Sequence, residues 1–148
     1  MSEQGGVADI RTQVVVLGSG PGGYTAAFRA ADLGKQVVLI ERYPSLGGVC
    51  LNVGCIPSKA LLHTAEVINE VAELELMGVR YTRPKIDLDK MRAGKDKVVG
   101  KLTGGLAALA KQRKVQLVTG VGKFADQRHL EVQTADGLTR VEFENCII

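Results

Sequence analysis

The sequence contains no tryptophan, and aromatic residues fill only 4% of its 148 positions. That scarcity argues against a stacking platform for single-stranded nucleic acid, which needs exposed rings. A dominant charge is also missing. Nineteen basic residues meet sixteen acidic ones, for a net charge of +3, too small and too scattered for a nucleic-acid surface. No apolar run approaches the ~20 residues of a membrane-crossing helix. The opening stretch, MSEQGGVADIRTQ, lacks the basic and apolar regions of a secretion signal. The expectation is a cytoplasmic protein that partners neither nucleic acid nor membrane. Histidine is limited to His63 and His129, and cysteine to Cys50, Cys55 and Cys146. Two thiols without nearby partners fall short of a zinc site, so no metal is expected.

What is present is an apolar fraction of 45% and eighteen glycines, several of them clustered. The length suits one domain with an adequate core. Residues 1–12 read as a flexible leader and 13–148 as the folded unit. QVVVLG (13–18) is an apolar run ending at glycine, the pattern of a strand buried on both faces. Pro21 opens a helix to about Leu33, and Gly34 stops it. KQVVLIE (35–41) is a second buried strand. Together these form a β-α-β unit, whose crossover is right-handed and whose strands are parallel.

Two long helices follow. The first spans Ser58 to Met77, with Leu61, Leu62, Ala65, Ile68 and Ala72 on one face and Gly78 at its end. Asp87 caps the second, which runs to about Arg113 with Leu88, Met91, Val98, Leu102, Leu106 and Leu109 at helical spacing. KVQLVTG (114–120) reads as a third parallel strand. Residues 121–143 alternate and contain the turn pair Asp136-Gly137, which predicts a small antiparallel meander. ENCII (144–148) reads as the start of a further buried strand, with Cys146 as a small core residue. A chain stopping at such a strand is expected to be part of a longer one. The fold class is therefore α/β, with a parallel sheet, flanking helices and an antiparallel meander.

GSGPGG places Gly18, Gly20 and Gly23 in the spacing G-x-G-x-x-G, between strand and helix. In such a loop the first glycine permits the turn, the second admits a pyrophosphate, and the third lets helix and strand pack closely. The helix N-terminus presents free N–H groups to the anion. Glu41 follows Gly23 by eighteen residues and ends the second strand, where a carboxylate accepts ribose hydroxyls. A dinucleotide is the expected ligand. The loop itself does not distinguish NAD from FAD, because both carry adenosine diphosphate.

GGVCLNVGCIPSK (47–59) then sets Cys50 and Cys55 five positions apart. On an ideal helix such residues lie roughly 8.6 Å apart at Cα. Disulfides rarely tolerate more than about 7 Å. Either the pair is unbridged, or Gly54 and Pro57 distort the helix enough to bring the sulfurs together. In the cytoplasm a bridging pair is catalytic or redox-sensing rather than structural. A disulfide next to the carboxyl edge of the sheet favours FAD as the bound cofactor, because a flavin can relay the electrons that a nicotinamide hydride cannot usefully deliver to sulfur.

These stretches resemble the dihydrolipoamide dehydrogenases, the flavoproteins of the 2-oxo-acid dehydrogenase complexes within the pyridine nucleotide-disulfide oxidoreductases. The likeness lies in VVVLGSGPGGYTAAFRAADLG, VVLIERYPSLGGVCLNVGCIPSKALLH and LTGGLAALAK. It implies a Rossmann-like FAD/NAD(P)-binding fold and identifies the chain with the N-terminal FAD-binding portion. It also implies that Cys50 is the thiol that exchanges with lipoamide and that Cys55 lies against the flavin. Lys59 would place positive charge near the flavin, and with the helix start would lower the thiol pKa. Gly18, Gly20, Gly22, Gly23, Glu41, Arg42, Gly47, Gly48, Val49, Cys50, Lys59 and Gly122 would contact FAD. NAD would be the co-substrate, lipoyl domains of the acyltransferase subunits the partners, and a homodimer the assembly. The later FAD, NAD, central and interface segments of that family have no counterpart here. Two alternatives remain: a nucleotide-binding fragment without catalysis, and a related disulfide or mercuric reductase.

Overall fold

The structure is a computed structural model that describes residues 9–148. Its elements in chain order are strand β1 (Ile10–Leu17), helix α1 (Pro21–Asp32), strand β2 (Val37–Glu41), helix α2 (Gly48–Asn52) and helix α3 (Cys55–Glu73). A single 3-10 turn at Leu74–Met77 closes α3. Helix α4 (Leu88–Gln112) and strands β3 (Gln116–Thr119), β4 (Val121–Phe124), β5 (His129–Thr134) and β6 (Gly137–Ile147) complete the chain.

The strands form one sheet in the order β3-β2-β1-β6-β5-β4. Strands β3, β2, β1 and β6 run parallel, while β6, β5 and β4 pair antiparallel. β6 belongs to both halves: Gly137–Glu142 pairs with β5, and Val141–Ile147 pairs with β1. The expected meander and the expected final strand are therefore one continuous element. Glu144, Asn145 and Ile147 are exposed and Cys146 is half-buried, so the predicted full burial of this segment does not hold. Burial still pushes the Cys146 thiol pKa up.

Side-chain alternation divides the core into two layers. Val14, Val16, Val37 and Leu39 meet Ala27 and Phe28 of α1 and Ala110 of α4. Val15, Val38, Ile40 and Val118 meet Leu130, Val132, Val141 and Phe143 of the meander. Both faces of β1 and β2 are thus covered, which is why VVVL and VVLI read as continuous apolar runs. Each fully buried branched side chain of this kind contributes about 1.5–3 kcal/mol of transfer free energy.

Several boundaries differ from the sequence reading. β1 begins at Ile10, because Ile10–Thr12 pair with Val141–Phe143; these three residues leave the predicted leader, and residues 1–8 of that leader lie outside the described residues. α3 starts at Cys55 rather than Ser58, and α2 is an additional short helix. The β5–β6 turn centres on Ala135-Asp136, since Thr134 pairs with Gly137. Thr134 Oγ1 fixes that turn by accepting the Asp136 N–H at 3.2 Å and donating to Gly137 O at 2.8 Å. The capping reading of α4 agrees with the structure: Asp87 Oδ1 accepts the Lys90 N–H at 3.0 Å.

The largest difference concerns the long helices. α3 and α4 pack on each other, yet α3 buries only Pro57 and α4 only Ala110. Of the five residues predicted to line the inner face of α3, Ile68 is half-buried and the other four are exposed. Among the described residues, no helix is long and apolar enough to cross a membrane.

Candidate functional site

The turn after β1 and the start of α1 form a loop with one open side. A Cβ on Gly20 or Gly22 would meet nothing within 4 Å. A Cβ on Gly23 would collide with the carbonyl oxygen of Gly18, so this position admits only glycine in the present packing of helix on loop. Gly20 caps α1 without a side-chain hydrogen bond, and Pro21 stands first in the helix. The N–H groups of the first turn are therefore left for an incoming acceptor.

Glu41 closes the loop from below. It is 8% exposed, and its Oε2 accepts the Ser19 N–H at 2.8 Å and the Ser19 hydroxyl at 2.5 Å. Its Oε1 accepts the Tyr43 N–H at 3.1 Å. Burial, the largest single influence, pushes the carboxyl pKa up. The hydrogen bonds from the Ser19 hydroxyl and from the Ser19, Tyr43 and Arg42 N–H groups outweigh it and hold the pKa below the usual carboxylate range. Clefts of about 260 and 240 Å³ open on its two sides. One is lined by Pro44, Thr103 and Gly104, the other by Gly18, Arg42 and Gly122.

Gly104 and Gly105 break the pattern of a helix interior, and the structure narrows the reason. A Cβ on either would meet nothing within 4 Å, so neither serves close packing against another backbone. Gly122 does the opposite, since a Cβ there would stand 2.8 Å from Leu17 Cδ1.

The redox segment sits directly on the phosphate loop. Gly48 has φ +60, and a Cβ on it would stand 2.8 Å from Gly20 Cα. The Gly47 N–H donates to Ser19 O at 3.0 Å. Asn52 fixes the short helix α2 by donating to Leu46 O at 3.1 Å and Gly48 O at 2.9 Å. Gly54 then turns the chain into α3 so tightly that a Cβ there would lie 3.3 Å from Cys50 Cα. The break between α2 and α3 brings the two cysteines together. They are present as free thiols, Cys50 half-buried and Cys55 exposed.

The Cys55 thiol beside Cys50 is the main cause of a raised Cys50 pKa. Desolvation and the neighbouring Cys55 charge add to the rise, while the Cys55 N–H and the Lys59 charge oppose it. At Cys50 the lowering by Lys59 is outweighed by its Cys55 neighbour. Lys59 acts in the expected direction, but it is exposed and its pull is the weakest of those acting on Cys50.

Val49 and Arg42 are exposed beside the loop, with the Arg42 guanidinium 5.9 Å from the Tyr43 ring centroid. His63 lies on the exposed side of α3, 3.9 Å from Glu66. His129 has a partner across its turn: its Nδ1 lies 2.8 Å from Asp126 Oδ1. Among the described residues no group of three or more potential metal ligands converges. Sequence reasoning missed Ser19, which fills the variable second position of the glycine motif, and Asn52, whose partners are backbone carbonyls.

A β-α-β glycine loop, an acid at the end of the second strand and a close cysteine pair define a nucleotide-dependent thiol–disulfide protein. Residues 12–148 match the family model described as pyridine nucleotide-disulphide oxidoreductase, and the chain belongs to that family. It is 58% identical over 141 residues to a dihydrolipoyl dehydrogenase of Haemophilus influenzae, covering 95% of this chain and 30% of the relative. A dihydrolipoyl dehydrogenase of Vibrio cholerae is 58% identical over 140 residues, with the same shares covered. One from Staphylococcus aureus is 45% identical over 139 residues, covering 94% of this chain and 30% of the relative. Among solved structures, the HOCl-induced flavoprotein disulfide reductase RclA of Escherichia coli, a Cu(II) complex of a cysteine-to-serine mutant, superposes with a TM-score of 0.73 at 26% identity. That match covers 93% of this chain and 28% of the other. The chain thus spans about 30% of the length of the curated relatives it matches.

Proposed function

We propose that the chain is the FAD-binding, redox-active portion of a dihydrolipoyl dehydrogenase. The observation that carries the reading is the tight turn at Gly54 that sets Cys55 beside Cys50, on a segment seated against the phosphate loop. The open loop fits an anionic nucleotide, and the clefts beside Glu41 leave room for what is attached to it.

In this reading, N–H groups of the Gly20–Gly23 turn take the pyrophosphate and Glu41 takes a ribose diol. Arg42 and Gly122 border the adenine end, while Gly47 through Cys50 and Lys59 border the flavin. Bound FAD supplies a two-electron relay from the cysteine pair to NAD⁺. The chain's own residues perform the exchange with substrate. A dihydrolipoyl thiolate attacks Cys50 Sγ of the Cys50–Cys55 disulfide, and Cys55 leaves as thiolate. The second lipoyl thiol then attacks the mixed disulfide, closes the lipoyl ring and frees Cys50. Two electrons pass from the dihydrolipoyl group to the cysteine pair, and the one proton left on the monothiolate substrate goes to Cys50 while Cys55 stays a thiolate, so the step balances. The raised Cys50 pKa favours its protonated state once it has been freed in the dithiol. Lipoyl domains of an acyltransferase subunit are the proposed partners, in the cytoplasm, with a homodimer as the assembly of the longer protein.

A second reading is that these residues bind the adenosine end of a nucleotide and by themselves catalyse nothing, which the open glycine loop beside Glu41 supports without any use of the cysteines. Thiol titration separates the two. The oxidised chain, loaded with FAD and mixed with dihydrolipoamide, should gain two titratable thiols faster than with glutathione, and Cys50→Ser should abolish the gain. Binding of ADP without FAD retention or thiol exchange would establish the second reading and overturn the first.

A further inference from the structure

We infer that Ser19 is a positioning residue whose buried hydroxyl ties Glu41 to the first turn of the redox helix, so that one side chain sets both the ribose seat and Cys50. The inference rests on the nucleotide reading above and adds to it a residue that lies outside the glycine motif's fixed positions.

Ser19 is fully buried, at 0% exposure, between two glycines of an otherwise open loop. A buried hydroxyl is costly unless it is bonded. Here it donates to Glu41 Oε2 at 2.5 Å and accepts the Gly47 N–H at 3.3 Å. The Ser19 backbone reinforces both links. Its N–H donates to Oε2 at 2.8 Å, and its carbonyl accepts the Gly47 N–H at 3.0 Å. Gly47 immediately precedes α2, and Cys50 stands in that five-residue helix. Any shift of Ser19 is therefore shared by the carboxylate on one side and the cysteine helix on the other.

The arrangement also assigns the two carboxylate oxygens. Oε2 is turned inward with two donors from one residue, while Oε1 takes the Tyr43 N–H at 3.1 Å. A carboxylate oxygen accepts two bonds readily, so Oε1 keeps capacity for a ribose hydroxyl. The Ser19 hydroxyl is also the largest of the influences that keep Glu41 ionised against its burial. The groups facing Glu41 across its clefts, Thr103 of α4, Val118 and Thr119 of β3 and Gly122 of β4, are uncharged. The nearest charged side chain in the sequence, Arg42, is directed over the Tyr43 ring. Hydrogen bonds therefore govern this carboxyl, and the hydroxyl is the one a point mutation can remove.

The test uses the full chain with Ser19→Ala and Ser19→Thr. Glu41 is titrated by carbon-13 NMR of labelled glutamate, with Glu41→Gln assigning its signal. Loss of the hydroxyl is expected to raise the proton affinity of Glu41 about tenfold. The Glu41 pKa is depressed in the folded chain, so its stabilising contribution is present above the unfolded value and lost as pH falls through the folded one. In Ser19→Ala that contribution should be smaller and its loss complete at a higher pH. Iodoacetamide labelling of Cys50, read by mass spectrometry, should change in rate by about threefold or more. Ser19→Thr should restore both readouts. An unshifted Glu41, or an unaltered Cys50 rate in Ser19→Ala, overturns the inference. Should Ser19→Ala fail to fold, Glu41→Gln must itself alter the Cys50 rate, and no change there overturns it equally. Binding of ADP against 2′,3′-dideoxy-ADP, measured by calorimetry, judges the nucleotide reading separately. Equal affinities would sink that reading while leaving the NMR and labelling results to decide on Ser19.

Discussion

The β-α-β unit and the α3–α4 hairpin are both strongly patterned in sequence, but only the first is buried. Val15, Val16, Leu39 and Ile40 are at 0% exposure, whereas Leu62 is 62% and Leu76 is 89% exposed. Apolar residues at regular spacing show that an element has a face for something. They do not show that this chain supplies the other side. In β1 and β2 the covering elements are α1, α4 and the meander, all within the described residues. For the hairpin, the two helices pack on each other, but most of the spaced positions stay exposed. Stability should accordingly be concentrated in the unit that also carries Glu41, with the hairpin contributing chiefly through its ends.

The sharpest way to break that comparison is to truncate one residue in the core. Leu39 lies in β2 against α1 and α4 and is fully buried. Leu39→Ala should cost about 2–5 kcal/mol, because it loses transfer free energy and leaves a cavity. Urea denaturation measures the change. A cost below 1 kcal/mol would mean that the two-layer core is loosely packed and the contrast with the hairpin false.

A smaller effect is expected where the hairpin joins its own helix start. Asp87 Oδ1 accepts the Lys90 N–H at 3.0 Å and satisfies one orphan donor of α4. Asp87→Ala should lower stability by about 1 kcal/mol, while Asp87→Asn should retain most of it. The same denaturation curves report the change, and amide exchange at Lys90 locates it. An unaltered Lys90 exchange rate would remove Asp87 from its capping role.

What could be read in the sequence was local chemistry with a fixed geometry. Pro21, Gly34 and Asp87 each mark a helix end through one backbone constraint, and each end falls where that constraint puts it. The glycine loop was legible for the same reason. Three features were not, because their causes are remote in sequence or too short to show a period. α2 has five residues and is held by Asn52 bonding back to Leu46 and Gly48. β6 is one strand because β1 pairs with its far end, a partner more than a hundred residues away. Ser19 occupies a position where the motif allows any residue, and its importance arises from Glu41 and Gly47 closing over it. The cysteine pair fell between these cases. Gly54 signalled a break, but only the structure shows that the break sets the cysteines side by side and that Cys55 outweighs Lys59 in its effect on Cys50.

The smallest effect should come from the middle of the hairpin, and its smallness is the point. Leu76 stands in the 3-10 turn after α3 with 89% of its surface in solvent. Truncating a side chain that is already in water removes no transfer free energy and leaves no cavity. Leu76→Ala should therefore change stability by less than about 0.5 kcal/mol. Leu39→Ala deletes the same atoms, so the ratio of the two costs isolates burial from side-chain chemistry. If Leu76→Ala instead destabilises the chain comparably, and does so more as protein concentration rises, the exposed face is covered in solution by another molecule of the chain. The contrast between the two regions would then describe a separated chain rather than its working state.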